Sequence, residues 1–243
     1  MRFVDSHLHV DKGMPDALSL GAATQTLFLT CGVDRKTSGG ALNLALTNPN
    51  VRAFVGVHPS EVLKERSLSW LPEALNQATG LGEVGLDPKY SAIGGRSAQV
   101  KAFLAQLAEA ARTGKPIEVH SRGAEEECLD RLVSFGVRRV LMHWFQSEES
   151  LPRVIDSGYF VSFGPPLLYS KRLQRMAARC NRDQVLTETD FPVGYEPLGK
   201  LRGPLLVPSV VFRLAEIWGT TFEEARMTIA GNSNRFLGLG EKG

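Results

Sequence analysis

The chain has 243 residues, of which 43% are hydrophobic and 22% are charged. This composition is typical of a folded globular protein and excludes a largely disordered chain. The formal net charge is +2, so the sequence carries no strong electrostatic footprint for nucleic acid. A phosphate substrate is still compatible with this charge, because bound divalent metal ions would add positive charge inside a site.

The three cysteines and the chain start bear on location. An odd cysteine count without a CxxC pair favours a reducing compartment over secretion. The first residues, MRFVDSHLHVDKG, carry acids and histidines where a signal peptide would be apolar. No apolar run approaches the roughly 20 residues that a membrane span requires. We therefore expect a cytoplasmic protein that does not associate with membranes.

Short apolar runs alternate with helical patterns along the whole chain. Because their apolar character is continuous, they predict strands that are covered on both faces, as in a parallel sheet. There are eight such runs, at residues 3–4, 27–29, 53–57, 81–86, 117–119, 140–142, 160–163 and 185–186.

Two helical segments illustrate the pattern between the runs. Residues 97–112 place Val100, Phe103 and Leu107 at the spacing of one buried stripe. Thr221 and Glu224 match a capping box and predict a helix start. The alternation predicts an α/β protein, a (β/α)8 TIM barrel forming one domain over residues 1–243. A doubly wound open sheet is the alternative, although no GxxxxGK[ST] phosphate loop is present.

The five histidines follow the predicted strands and do not lie on helices. His7 and His9 end the first strand, His58 the third, His120 the fifth and His143 the sixth. In a TIM barrel the C-terminal ends of the strands form the catalytic face. Side chains that are distant in sequence are therefore predicted to converge there.

The HxH pair and Glu83 suggest metal ligands. Residues i and i+2 of a strand point the same way, so His7 and His9 would present two imidazoles to one ion. Two buried histidines bound to backbone carbonyls are an equally open interpretation of this pair alone. Glu83 lies among small and apolar residues, where an unpaired carboxylate would cost several kcal/mol. Its two oxygens can bridge two metals about 3.5–4 Å apart; an ion pair with an arginine is the alternative.

Further ligands are expected at the ends of other strands. His120 and His143 each follow an apolar strand core, and their presence beside Glu83 favours metal binding over simple packing. Asp190 closes the last strand, which lies beside the first in a closed barrel, so it can reach a metal held by His7 and His9. There it can act as a general base for a water molecule. An N-cap role is the alternative for Asp190.

Two residues are candidates for substrate contact. We expect His58 to face the mouth of the barrel and to act beside the ligands, with a structural His–Pro turn as the alternative. Arg122 follows His120 by two positions, and its guanidinium matches a phosphate with two parallel hydrogen bonds. A solvated charge at a helix start is nearly as consistent with Arg122.

Taken together, these residues resemble the TatD family of metal-dependent deoxyribonucleases, within the amidohydrolase-like TIM barrels. The resemblance extends over almost the whole chain, but Ser60 and the Pro88-Lys89 pair depart from the family on its substrate side. The matching segments are DSHLH at 5–9, GVHP at 56–59, GEVGLD at 82–87, Gln99 with Phe103, VHSR at 119–122, HWF at 143–145, ETDFP at 188–192, and Asn232 followed by RFLG at 235–238.

The resemblance implies a two-metal hydrolase, often dependent on Mg2+, that acts on DNA as an exonuclease or endonuclease. By motif, His7, His9 and Asp190 would hold one ion, His120 and His143 the other, and Glu83 would bridge them. We therefore predict two divalent ions (Mg2+, Mn2+ or Zn2+), catalytic roles for Glu83 and Asp190, and DNA or a small phosphoester as substrate. Hydrolysis of an amide, ester or lactone is the nearest alternative. A metal- or nucleic-acid-binding protein without turnover is the other.

Overall fold

The eight predicted apolar runs form eight parallel strands, which lie in chain order around one sheet. The computed structural model describes residues 3–10, 18–19, 21, 23–65, 67–91, 95–199 and 203–239. Strand order follows chain order without the reversal that a doubly wound sheet requires, so the TIM barrel is confirmed and the open-sheet alternative is wrong. The strands are β1 Val4–His9, β2 Leu27–Cys31, β3 Val51–Val55, β4 Gly80–Gly85, β5 Ile117–His120, β6 Val140–Met142, β7 Phe160–Phe163 and β8 Val185–Thr187.

Hydrogen bonds between the first strand and the segment after the last strand close the barrel. Thr189 donates to the carboxylate of Asp5 from its backbone N–H at 2.8 Å and from its hydroxyl at 2.6 Å. The N–H of Asp190 donates to the carbonyl of His7 at 2.9 Å. This seam places Asp190 beside the HxH pair, as the closed barrel predicts.

Helices cover the outside of the sheet. Thr221 and Glu224 form the predicted capping box, and the helix that they start continues to Leu237. A second capping box, from Asp34 and Thr37, starts the helix Arg35–Thr47. The α-helices are α1 Arg35–Thr47, α2 Leu71–Gln77, α3 Gly95–Thr113, α4 Glu125–Ser134, α5 Leu151–Asp156, α6 Lys171–Arg179, α7 Val207–Trp218 and α8 Phe222–Leu237, and short 3-10 helices span Pro88–Tyr90, Pro165–Leu168, Arg182–Gln184, Glu196–Leu198 and Pro204–Leu206.

The buried face of α3 differs from the predicted apolar stripe. Phe103 and Leu107 are fully buried, but so are Gln99 and Gln106. Gln106 accepts from the N–H of Val57 at 2.8 Å and donates to its carbonyl at 3.1 Å. The glutamines are buried because they satisfy backbone groups at strand ends, which apolar side chains cannot do.

A glycine-rich segment matches the spacing of a nucleotide-binding motif but forms a strand. Residues 80–85, GLGEVG, match the GxGxxG spacing but form β4 itself, not the strand-to-helix turn that holds a dinucleotide.

Among the described residues, no single helix is long and apolar enough to cross a membrane. One pair bent by 107°, Pro204–Trp218 and Phe222–Leu237, reaches those limits of length and composition together.

Replacing Gln106 by leucine is expected to destabilise the barrel. The substitution leaves the N–H and the carbonyl of Val57 buried without these partners, and the free energy of unfolding should fall by about 2–4 kcal/mol. Denaturant unfolding measures the change. Gln77→Leu, at an exposed position of α2, is the control and should stay within about 0.5 kcal/mol of the wild type. Equal effects of the two substitutions would contradict the role of Gln106.

Candidate functional site

A cavity of about 560 Å3 opens among the ends of the strands. Its size is that of a pocket for a small organic ligand or a few linked groups. Two aromatic residues, Tyr90 and Trp144, line it beside the polar side chains. The predicted site residues in its wall are His9, His58, Glu83, His120, Arg122, His143 and Asp190, and His7 is fully buried behind them.

Four atoms form a first ligand group: Nε2 of His7, Nε2 of His9, Oδ1 of Asp190 and Oε2 of Glu83. The Nε2 of His9 lies 3.3 Å from Asp190 Oδ1 and 3.4 Å from Glu83 Oε2. The Nε2 of His7 lies 3.7 Å and 3.6 Å from the same two atoms. Tetrahedral ligands at 2.0–2.2 Å from an ion are separated by about 3.3–3.6 Å. His7, His9 and Asp190 could hold one divalent cation, since their donor atoms all lie within 4.8 Å of one another, and Glu83 Oε2 lies beside them.

The Nε2 atom of His7 supports the same conclusion. It is buried and has no hydrogen-bond partner among the described residues. A buried polar atom without a partner costs about 1–3 kcal/mol, and a bound cation would remove that cost. The donor set of the first ligand group therefore fits a metal ion.

The other oxygen of Glu83 faces a second ligand group, which it forms with His120 and His143. Glu83 Oε1 lies 2.8 Å from His120 Nδ1 and 2.7 Å from His143 Nε2. These two nitrogens are 3.4 Å apart. The two oxygens of Glu83 thus face different histidine nitrogens, as the bridging prediction requires. The contacts of 2.7–2.8 Å are hydrogen bonds, shorter than the roughly 3.3–3.6 Å between two ligands of one ion, so a cation would replace the protons of these bonds.

The electrostatic setting of Glu83 matches a ligand role. Burial alone would raise its pKa, but the charge of His143 and the hydrogen bonds of His120 and His143 hold the pKa well below its usual range. Glu83 is therefore ionised and offers both oxygens as acceptors. No described Arg or Lys pairs with it, so the arginine ion pair considered for Glu83 is not what the structure contains.

Asp87 orients His120 and binds Arg122, and its role was not predicted from the sequence. Its Oδ2 accepts from His120 Nε2 at 2.8 Å, which leaves His120 Nδ1 directed at Glu83. A carboxylate behind a ligand histidine fixes the ring and strengthens its donor nitrogen. Gln99 in turn holds the backbone of Asp87, accepting at 3.1 Å and donating at 2.9 Å.

Contacts with Asp87 and Tyr90 hold Arg122 at the wall of the cavity. Its Nε and Nη2 lie 2.8 Å and 2.7 Å from Asp87 Oδ2, and its guanidinium lies 5.2 Å from the centre of the Tyr90 ring. The side chain is 49% exposed. The guanidinium is therefore paired with Asp87 and only half exposed. Its N–H groups that do not face Asp87 are available to an anion.

His58 lies against the second ligand group. Its Nδ1 accepts from the backbone N–H of Ser60 at 3.1 Å, so the proton of the neutral ring belongs on Nε2. Burial lowers the pKa of His58 to about 4, which keeps the ring neutral at pH 7. Its Nε2 lies 3.5 Å from Glu83 Oε1. This tautomer makes Nε2 a hydrogen-bond donor, which agrees with a role beside the ligands. His58 as placed also forms, with Glu83 and His120, a group of side chains that could hold a metal ion.

The comparisons with known proteins agree with this geometry. The profile of the TatD related DNase family matches residues 4–238. The chain belongs to the TatD family of metal-dependent hydrolases.

Individual members of this TatD family show the extent of the similarity. The uncharacterized metal-dependent hydrolase YabD of Bacillus subtilis is 27% identical, over 96% of this chain and 98% of that protein. The 3'-5' ssDNA/RNA exonuclease TatD of Salmonella typhimurium is 26% identical, over 83% of each chain. The crystal structure of YJJV, a TatD homologue from Escherichia coli, superposes with a TM-score of 0.87 at 22% identity, covering 96% of this chain and 97% of that one.

Loss of Glu83 is expected to remove both metal positions, whereas loss of His58 should remove neither. Glu83→Ala deletes an oxygen from each ligand group, so the metal content of the purified protein should fall from about two ions to less than one. His58→Ala is the matched control, because His58 also lies beside Glu83 Oε1 but directs an N–H group at it and not a lone pair. Elemental analysis after dialysis measures both. Metal loss in His58→Ala would show that His58 is itself a ligand.

Proposed function

We propose that this TatD-family protein hydrolyses phosphodiester bonds of DNA with the help of two divalent metal ions, one at each ligand group. The observation that carries the proposal is the double use of Glu83. Its Oε2 faces His9 at 3.4 Å and its Oε1 faces His143 at 2.7 Å, so the two groups share one carboxylate. A shared carboxylate is typical of paired metal sites that hold the attacking and leaving oxygens of a phosphoryl transfer.

Asp190 is the proposed general base. When bound, divalent ions at the two groups would lower the pKa of a water molecule and neutralise charge on phosphoryl oxygens. The side chain of Asp190 is 14% exposed and lines the cavity, whereas His7 beside it is fully buried. A carboxylate that contacts both the ligand group and the cavity can accept the proton of the attacking water.

The walls of the cavity fit a nucleotide strand. Arg122 offers N–H groups to a phosphate, and Tyr90 and Trp144 present aromatic rings on which a base can stack. The net charge of +2 provides little long-range attraction for duplex DNA. We therefore infer a preference for single strands or free ends, in keeping with the name of the Salmonella relative.

Asp190→Asn is expected to abolish most turnover without unfolding the protein. An amide oxygen can still bind a metal weakly but cannot accept a proton, so kcat should fall by about 10²–10⁴-fold. Single-turnover rates on a labelled oligonucleotide, with saturating metal, measure the change. Thermal unfolding and metal content of the same preparation serve as controls. Wild-type turnover by a metal-loaded Asp190→Asn protein would exclude Asp190 as the base.

A substrate panel tests the reaction itself. Single-stranded DNA should be cleaved faster than blunt duplex DNA, and both faster than amide, ester and lactone substrates, in the presence of Mg2+, Mn2+ or Zn2+. Strong amide or ester hydrolysis without phosphodiester turnover would overturn the nuclease proposal and leave the metal centre intact. Binding of metal and DNA without any turnover would overturn the enzymatic proposal.

Arg122→Ala tests phosphate recognition within that panel. A lost charge-assisted hydrogen bond is worth about 1.5–3 kcal/mol, so kcat/KM on DNA should fall by about 10–100-fold. Arg112→Ala is the matched control, because Arg112 is 56% exposed, pairs with Glu109 and lies in the last turn of α3. Equal kcat/KM values for the two variants would exclude Arg122 from substrate binding.

A further inference from the structure

Glu118 is a buried carboxylate whose place in the strand is not explained by packing. It lies in the middle of β5, between apolar Ile117 and Val119, and its side chain is fully buried. Burial of a carboxyl group in a strand costs several kcal/mol unless it is paired or bound. Its Oε1 has no hydrogen-bond partner among the described residues. Because burying the Glu118 carboxylate costs this much free energy, we expect it to have a role beyond packing.

The other oxygen of Glu118 is bound to a proposed metal ligand. Oε2 lies 2.8 Å from His7 Nδ1 and accepts from Cys31 Sγ at 2.7 Å. An ionised carboxylate oxygen can only accept, so His7 Nδ1 and the thiol are both donors to Oε2. The ring of His7 then carries its proton on Nδ1. Its Nε2, which faces Asp190 and Glu83, is left with a free lone pair.

The surroundings hold Glu118 in this position. Gly82 of the neighbouring strand β4 faces it, and a Cβ atom at Gly82 would lie 3.0 Å from the Cβ of Glu118 and 3.1 Å from Cys31 Sγ. Such contacts are tighter than side chains ordinarily make, so the glycine provides the room that Glu118 and Cys31 occupy. His7 is also stacked on His143, with ring centres 3.7 Å apart. The ring of His7 is thus fixed from its face and from its Nδ1 edge.

We propose that Glu118 is a positioning residue for the first ligand group, which sets the tautomer and the donor strength of His7 toward a divalent cation. This inference rests on the metal centre of the proposed function. Glu118 contacts His7 alone among the proposed ligands through its hydrogen bonds. Its effect should therefore be confined to the ion held by His7, His9 and Asp190.

Metal titration of the metal-free protein tests this proposal. Zn2+ is titrated calorimetrically and in competition with a chromophoric chelator, and Co2+ is titrated while visible absorption reports ligand geometry. In Glu118→Val, one of the two binding steps should weaken by about 10–100-fold, the usual effect of removing a carboxylate behind a ligand histidine. The other step should stay within about twofold, because its ligands are not touched. The Co2+ spectrum should change for the weakened step only.

Two further variants keep the test decisive. Glu118→Gln retains an acceptor oxygen for His7 Nδ1 but not the charge, and should lose less affinity than Glu118→Val while weakening the same step. If Glu118→Val does not fold, this variant decides, and wild-type affinity in it overturns the proposal. Cys31→Ala removes the other donor to the same oxygen and should leave both steps within about twofold. A loss in Cys31→Ala equal to that in Glu118→Val would overturn the proposal, since affinity would then follow the packing of the cluster.

The outcomes separate this inference from the proposed function. A wild-type protein that binds no divalent ion would contradict the proposed metal centre. A wild-type protein that binds two ions, together with a folded Glu118→Val protein that binds them equally well, would contradict only the role of Glu118.

Discussion

The carboxylate of Glu83 is the contact on which the rest of the site depends. Its backbone N–H donates to the carbonyl of Gly32 after β2 at 2.8 Å, so the side chain starts from a fixed point on β4. Its oxygens then meet histidines from β1, β5 and β6. An ionised carboxylate that is almost fully buried is stable only if its surroundings supply positive charge or N–H donors. Four strand ends must therefore keep their spacing for Glu83 to be tolerated at all.

The charges around Glu83 are unbalanced in a way that favours cations. Asp87, Glu118 and Glu188 are also buried, and each lies beside a histidine: His120, His7 and His143 respectively. Among the described contacts of these acids, Arg122 at Asp87 supplies the only guanidinium. Burial opposes protonation of the imidazoles, but hydrogen bonds to Asp87 and Glu83 raise the pKa of His120, and the charge of Glu83 helps to raise the pKa of His143 to about 9. Two divalent ions would take the place of these protons, balance the acids and bind the lone pairs of the same nitrogens.

The sequence predicts the strands and the ligand set because both follow from short-range rules. A buried parallel strand is a continuous apolar run, and the predicted ligands lie within or shortly after such runs, as His120 does after Ile117–Val119. Closure of the barrel then brings Asp190 to His7 without any further information. The spacing of residues in the sequence does not determine features that depend on one particular contact, such as the tautomer of His58.

Roles that are set by tertiary contacts were not predicted from the sequence. Gln99, which was named only as part of the family resemblance, and Gln106, which was not named, each pair with a backbone near a strand end. The position of Glu118 could have indicated its role, because it shares a strand face with His120 two residues later. It was instead counted as part of an apolar run. Arg122 was identified, but its partner Asp87 could not be, because the pair is made across 35 residues.

Two residues of the cavity wall show how the scaffold holds the site in place. Trp144 and Asp190 have φ angles of +43° and +45°, a region that non-glycine residues occupy at a cost. Each has its backbone N–H fixed by a neighbour of the ligands: Trp144 donates to Glu188 at 2.9 Å and Asp190 donates to the carbonyl of His7 at 2.9 Å. The left-handed turns at Trp144 and Asp190 are therefore held by hydrogen bonds to Glu188 after β8 and to His7 of β1. Because the strand ends, the turns and the ligands share these bonds, the donor geometry is set before any ion or substrate arrives, which is the condition for a precise site on a rigid barrel.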